Sequence, residues 1–95
     1  MFIVLLRFSD NKALAPQYME GHKRWLQQGF DDGVFLVSGG LRPDGGGAIL
    51  AHGVTLPALR QRVRDDPFVA QGVVDADIVE VAASKADERL AFLLS

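Results

Sequence analysis

The sequence predicts a small α+β domain, and three observations support this prediction. Short apolar runs typical of buried strands alternate with longer stretches in which apolar residues recur at helical spacing. The order of these segments is strand, helix, strand, strand, helix, strand. A chain of 95 residues also suits one domain, since domains usually run ~50–200 residues.

The first strand and the first helix occupy the first third of the chain. The run "MFIVLLRF" is aliphatic and aromatic, ends at "SDN" and predicts the strand. "SDNKALAP" then offers helix-capping residues, and Pro16 suits a first helical turn. Beyond it, three apolar residues and one histidine share a helix face: Met19, His22, Leu26 and Phe30. Gly33 predicts the C-terminal cap of this helix.

The remaining elements complete a known topology. "VFLVSGG" and "AILAH" predict an antiparallel hairpin, because the stretch "GGLRPDGGG" between them is rich in turn residues. "TLPALRQRVRDD" begins with a threonine cap and predicts the second helix. "ADIVEVAA" predicts the fourth strand. The resulting order, βαββαβ, is the ferredoxin-like plan.

One face of such a sheet is left without a cover. Both helices pack on the same face, so the other is usually covered by a second subunit or an added element. We therefore predict a homodimer that packs through its sheets, the dimeric α/β-barrel arrangement. The tail "SKADERLAFLLS", residues 84–95, follows the domain of residues 1–83. It predicts an extra C-terminal helix at the dimer interface or over the sheet.

Composition excludes several classes of function. A net charge of −2 and a pI near 5.5 give no reason to expect nucleic-acid binding. The chain has no cysteine and only two histidines, so we predict no metal site and no cofactor. The first apolar run is too short for a signal peptide or a membrane span. We therefore expect a cytoplasmic protein without a membrane partner.

Two residues are candidates for chemistry. Asp66, in "RDDPFVAQG", has a structural interpretation as the N-cap of a short turn that begins at Pro67. His22 lies on the apolar helix face and needs hydrogen-bonding partners there. It is either a core histidine bonded to a backbone carbonyl or a general acid/base oriented by a carboxylate. Since both helices pack on one sheet face, Asp66 is the natural carboxylate.

The end of the second strand offers further candidates for ligand contact. Ser38 is followed by Gly39, and glycine lets a ligand approach the backbone closely. The plain alternative is a strand that ends before a glycine-rich turn. As a functional residue, Ser38 would donate a hydrogen bond to a substrate oxygen. We expect the substrate-binding residues to be Ser38, Gly39, Pro67 and Phe68.

In sequence, residues 1 to about 83 resemble the YCII-related (YciI-like) family. The resemblance rests on "MFIVLLRF", on the "H…WL" of "HKRWL", on "GVFLVSG", on the glycine-rich hairpin and on "DDPFVAQGV". It implies a dimeric ferredoxin-like protein whose active site contains His22 and Asp66, with Ser38 nearby. The chain departs from the family where the family usually has Gly-Pro in place of Gly39–Gly40, and in its tail.

Two classes of function remain open. The first is a small-molecule enzyme with a His–Asp acid/base pair, of lyase, isomerase or dehydrohalogenase type, acting on a small cyclic or aromatic substrate. The second is a non-catalytic dimeric module that binds a small ligand or regulates a partner. An enzyme requires His22 in an open pocket within hydrogen-bond reach of Asp66, whereas a core histidine would be sealed from solvent.

Overall fold

The computed structural model describes residues 1–94 and shows helices packed on one face of a four-stranded antiparallel sheet. The strands are β1 (Phe2–Phe8), β2 (Phe35–Gly40), β3 (Gly47–Ala51) and β4 (Val74–Glu80). The helices are α1 (Ala15–Asp31), α2 (Leu56–Arg64) and α3 (Pro67–Ala70). The strand order β2-β3-β1-β4 is compatible with the predicted ferredoxin-like plan.

The start of α1 differs from the prediction. Leu14 occupies the N-cap position, and no side chain caps the helix. The polar residues expected to cap it bond elsewhere: the Ser9 hydroxyl and the Asn11 amide both donate to the carbonyl oxygen of Gly72. They thus tie the end of β1 to the turn before β4, and a short 3-10 turn leads into α1.

The end of α1 confirms the predicted glycine cap. Gly33 has a φ of 73°, the left-handed conformation that favours glycine. Its amide donates to the carbonyl of Phe30 at 2.9 Å, and the amide of Val34 donates to that of Gly29 at 3.0 Å. This is the Schellman pattern, which satisfies carbonyls at the helix end and turns the chain into β2.

The core lies between the helices and the sheet. Alternation along β1 buries Phe2, Val4 and Leu6 on the helix-facing side. Leu59 and Val63 of α2 are buried against that side. The fold therefore places α1 and the α2–α3 corner over the same sheet surface.

The opposite face of the sheet has no cover within residues 1–94. Its side chains are mainly apolar in the middle of the sheet and include Ile3, Leu5 and Leu50, which are partly exposed. Val37 and Val79 on the outer strands are 57% and 41% exposed. The predicted dimer would cover this face, and it stays a prediction.

The tail does not form the predicted α-helix in the part that the structure describes. Residues 81–87 are irregular, and Glu88–Leu94 form 3-10 turns interrupted by a non-helical Leu90. Leu90, Phe92 and Leu94 are 44–48% exposed, so these apolar side chains have little surface to pack on that would support a helix. Ser95, which belongs to the predicted tail, lies outside the described residues.

The helices in residues 1–94 are all too short or too polar to cross a membrane.

Candidate active site

The corner between α2 and α3 places Asp66. Asp65 caps the end of α2, and the chain then becomes extended at Asp66, with φ −62° and ψ 123°. Proline at position 67 disfavours a helical conformation at the residue before it and starts the next helix well. Asp66 Oδ1 accepts from the amide of Phe68 at 3.0 Å, which confirms the N-cap interpretation. The Asp66 side chain is wholly buried.

His22 on α1 meets the same carboxylate oxygen. Its Nδ1 lies 2.8 Å from Asp66 Oδ1. Because an ionised carboxylate only accepts hydrogen bonds, Nδ1 carries the proton of the neutral ring and Nε2 carries the lone pair. Nε2 has no hydrogen-bond partner among residues 1–94, and the side chain keeps 16% of its surface exposed. The ring is therefore oriented by one nitrogen and available through the other.

Two aromatic rings fix the plane of the imidazole. Phe68 stacks on it with ring centroids 4.1 Å apart and only 6° between the planes. Trp25 lies on α1 with its ring centroid 5.7 Å from that of His22. The Trp25 indole N–H donates to the carbonyl of Arg62 at 2.8 Å, so α2 holds this ring in turn. Trp25 is partly buried against the core and also packs beside the candidate site.

A glycine on α1 lets the corner approach. A Cβ atom at Gly21 would lie 3.0 Å from Cγ of Pro67, which is tighter than most contacts between such atoms. The absence of a side chain at position 21 thus lets α3 lie close against α1. The same packing of the α2–α3 corner against α1 places Asp66 Oδ1 2.8 Å from Nδ1 of His22.

A cavity of about 310 Å³ lies beside His22, between α1, α3 and the hairpin of β2 and β3. Leu6 and Phe8 of β1 and Met19 of α1 supply apolar walls. The exposed residues Ser38 and Gly39 form part of the rim, so the cavity opens to solvent. Among the described residues that line it, only His22 and Ser38 carry polar side chains. The volume suits a ligand of about one ring, near the lower end for small-molecule sites.

The structure brings most of the predicted site residues together. His22, Ser38, Gly39 and Phe68 line the cavity, and Asp66 lies behind His22 as its hydrogen-bond partner. Pro67 does not line the cavity and lies instead next to Gly21 of α1. The roles of these residues in catalysis or binding stay predictions.

Several lining residues were not among the predicted site residues. Alternation along β1 could have found Leu6 and Phe8, because both share the helix-facing side with Val4. Gly40 and Gly47 also line the cavity, and locating them needs the register of the hairpin. That register includes an irregularity between Phe35 and Val37, which no sequence pattern indicates.

An ion pair at the far end of α1 braces the scaffold. Arg62 of α2 donates from Nη2 to Asp32 Oδ2 at 2.9 Å. Hydrogen bonds from Gln28 and from Arg62 lower the pKa of Asp32 below its ordinary value, against a smaller opposing effect of burial.

In residues 1–94, no group of three or more potential ligand side chains could hold a metal ion.

Comparisons with known proteins find similarity at the level of structure. No family model matches the chain, and no curated protein matches its sequence. The fold is similar to that of 5-chloro-2-hydroxyhydroquinone dehydrochlorinase (TftG) from Burkholderia phenoliruptrix AC1100, solved in complex with 2,5-dihydroxybenzoquinone. The TM-score is 0.68 at 13% identity, over 85% of this chain and 93% of that chain. At this identity the likeness shows a shared fold and does not by itself assign a reaction.

Proposed function

We propose that this protein is a small-molecule enzyme in which His22, oriented by Asp66, removes and returns a proton on a small cyclic substrate. The observation that carries the proposal is the 2.8 Å contact between Nδ1 and Oδ1, at a wall of an open cavity. A general base needs a free nitrogen and a fixed tautomer: Nε2 has no hydrogen-bond partner among residues 1–94, and the bond from Nδ1 to Asp66 sets the tautomer of a ring that lines the cavity. The proposed class is that of a lyase, an isomerase or a dehydrohalogenase.

The chemistry follows from the two ring nitrogens. Nε2 takes a proton from a substrate carbon, and the electron pair of that C–H bond forms a new double bond. In an elimination from a saturated ring, the leaving group on the adjacent carbon departs with its bonding electrons. In a dehydrochlorination of a chlorinated hydroquinone, the keto tautomer carries hydrogen and chlorine on one saturated carbon, and Nε2 takes the proton of the remaining hydroxyl. The O–H electron pair then forms a carbonyl, the ring double bond moves to the chlorine-bearing carbon, and chloride departs to leave a quinone. In an isomerisation, the imidazolium returns the proton at another carbon. Asp66 stabilises the imidazolium in both cases through the bond to Nδ1.

The lining of the cavity supports an apolar ring substrate that carries a hydroxyl or carbonyl oxygen. Phe8, Phe68 and aliphatic side chains provide most of the wall, and no lysine, arginine or carboxylate is among the described residues that line it. Ser38 at the rim is the proposed donor to the substrate oxygen. Gly39 and Phe68 are proposed to contact the ring. The name of the structural neighbour, a dehydrochlorinase bound to a dihydroxybenzoquinone, supports the same substrate class.

Chloride release from chlorinated hydroquinones tests the reaction. Wild-type protein should release chloride from at least one member of a panel that varies ring position and hydroxylation. His22→Gln should abolish this release, because an amide does not accept the proton. His52→Gln is the matched control, since His52 lies outside the cavity and contacts the tail instead. An equal loss of chloride release in both variants, or chloride release that survives His22→Gln, would contradict the proposed role of His22.

The alternative of a non-catalytic binding module has one observation in its favour. His22 is the sole ionisable side chain among the described residues that line the cavity, so no second group is present to protonate a leaving group. A binding module predicts that hydroquinones bind to the wild type without turnover. An enzyme also predicts exchange of a substrate carbon-bound proton with deuterated solvent, and this exchange should depend on His22.

We also propose that two copies associate through the uncovered sheet face, and that the chain belongs to the YCII-related family. The support is the apolar surface around Leu50 and Val79, together with the order of the sequence motifs. Val79→Asp should shift sedimentation towards the monomer, because it places a charge in that face. Gln17→Asp, an exposed change on α1, is the control and should leave the sedimentation unchanged. A monomeric wild type at micromolar concentration would refute the association.

A further inference from the structure

The glycines of this chain differ in how far the backbone requires them. Gly33 and Gly72 have φ values of 73° and 68°, where other residues are strained. A side chain at Gly46 would overlap the carbonyl oxygen of Leu6, and one at Gly29 would overlap the Phe35 ring. For these four positions, local geometry accounts for the glycine.

Gly40 and Gly47 have no such requirement. Neither has a positive φ. A Cβ atom at Gly40 would approach nothing closer than the Gly46 carbonyl oxygen, at 3.8 Å, and one at Gly47 would lie 3.5 Å from the Gly39 carbonyl oxygen. Both are ordinary van der Waals contacts. Glycine within a strand weakens it relative to most residues, so folding alone does not account for this pair.

The two glycines face each other across the hairpin and share one side of the sheet. Gly40 of β2 pairs directly with Gly47 of β3. The next pair on the same side is Ser38 with Ile49, and Ile49 is buried towards the helices. Gly40 and Gly47 both line the cavity that contains His22. Side chains at these positions would therefore project into the space beside the candidate base.

We propose that Gly40 and Gly47 form a specificity-determining subsite, a wall without side chains against which a flat, uncharged ring lies. The inference rests on the proposed function and narrows it from small cyclic substrates to planar ones. A planar ring can contact exposed backbone over its whole face, whereas a puckered ring would use the extra space poorly. Apart from His22, which is charged only when protonated, no described residue of the lining has a charged side chain. An uncharged ring is therefore favoured.

Valine substitutions test the subsite. Gly40→Val and Gly47→Val suit a strand and fill the cavity, while Ala76→Val adds a branched side chain to β4 outside it. Hydroquinone is the probe, followed through the ¹H–¹³C signals of the His22 ring. Both glycine variants should keep or raise the thermal midpoint and should weaken hydroquinone binding by about tenfold or more, the scale set by misplaced methylenes in a pocket. Ala76→Val should bind as the wild type does.

Each other outcome overturns the inference in a recognisable way. Hydroquinone binding that is unchanged in both glycine variants removes the subsite and leaves the proposed function intact. A thermal midpoint that falls in the glycine variants but not in Ala76→Val shows that the glycines are structural. A wild-type His22 signal that does not respond to hydroquinone removes the subsite for flat uncharged rings. The proposed function is judged separately, by chloride release and by deuterium exchange.

Discussion

Replacement of Asp66 with alanine removes a carboxylate in which one oxygen, Oδ1, accepts two hydrogen bonds. Oδ1 accepts from the Phe68 amide at 3.0 Å and from His22 Nδ1 at 2.8 Å. Oδ2 is buried and has no hydrogen-bond partner among residues 1–94. The substitution therefore tests the cap of α3 and the orientation of His22 at once, and a control is needed to separate them.

The expected loss of stability follows from these contacts. A lost N-cap lowers the free energy of unfolding by about 1 kcal/mol. The part-buried Nδ1 of His22 then lacks a hydrogen-bond partner in either tautomer, which lowers it by a further ~1–3 kcal/mol. Removal of the unpartnered Oδ2 offsets part of the second effect. We expect a net loss of about 2–3 kcal/mol, which lowers the thermal midpoint of a domain of this size by roughly 8–24 °C.

Thr55→Ala provides the matched control. Thr55 caps α2, its hydroxyl oxygen accepts from the Ala58 amide at 3.3 Å, and it has no contact with His22. Urea unfolding of both variants should show a loss of about 1 kcal/mol for Thr55→Ala and the larger loss for Asp66→Ala. The difference between the two losses measures the part of the Asp66 effect that depends on His22.

Asparagine at position 66 separates orientation from charge. The Phe68 amide still needs an acceptor, so the amide oxygen of Asn should occupy the place of Oδ1 and also accept from His22. The ¹⁵N shifts of the His22 ring in alkaline solution should then show the Nδ1–H tautomer in wild type and Asp66→Asn, and its loss in Asp66→Ala. If Asp66→Ala loses no more stability than Thr55→Ala and keeps the tautomer, Asp66 is a cap alone and the reasoning fails.

Two further predictions concern the scaffold. Gly29→Ala should lower the free energy of unfolding by about 1–2 kcal/mol in urea unfolding, because overlap with the Phe35 ring outweighs the better helix propensity of alanine. Unchanged stability would show that the ring can move aside. Asp32→Asn should be less stable than the wild type at neutral pH, because the bonds from Gln28 and Arg62 lower the pKa of Asp32 in the folded state. This stabilisation is present above the unfolded pKa of Asp32, about 3.9, and is lost as the pH falls through the lower pKa of the folded state. The free energies of unfolding of the two proteins should therefore converge in acid. A difference that stays constant with pH would contradict this prediction.

Periodicity in the sequence predicted the helices and strands well. Alternation in "MFIVLLRF" and the spacing of Met19, Leu26 and Phe30 reflect burial against a single sheet surface, which is a local property. The cap residues Thr55 and Asp66 could be predicted for a similar reason, since each bonds to an amide two or three positions ahead. The proximity of His22 to Asp66 needed only the topology and the rule that both helices share one face.

The features that were not predicted depend on contacts between distant segments. Ser9 bonds to carbonyls more than sixty positions away instead of capping the next helix, and Arg62 reaches Asp32 on another helix. The direction in which Gly40 faces depends on an irregularity in strand pairing. The apolar spacing of the tail favoured a helix, but such a short segment needs a surface to pack on. None of these conditions is encoded in the local pattern of residues.

One oxygen of Asp66 both binds His22 and caps α3, so the orientation of His22 depends on whether α3 is folded. A helix of four residues has no stability of its own, so α3 opens whenever its cap and its packing are released together. In that open state His22 loses both Asp66 and the stacked ring of Phe68. We therefore expect the population with an oriented imidazole to follow the population with α3 closed, and amide hydrogen exchange at Phe68 to report on both. A ligand that binds only the oriented imidazole should slow that exchange in proportion to its occupancy.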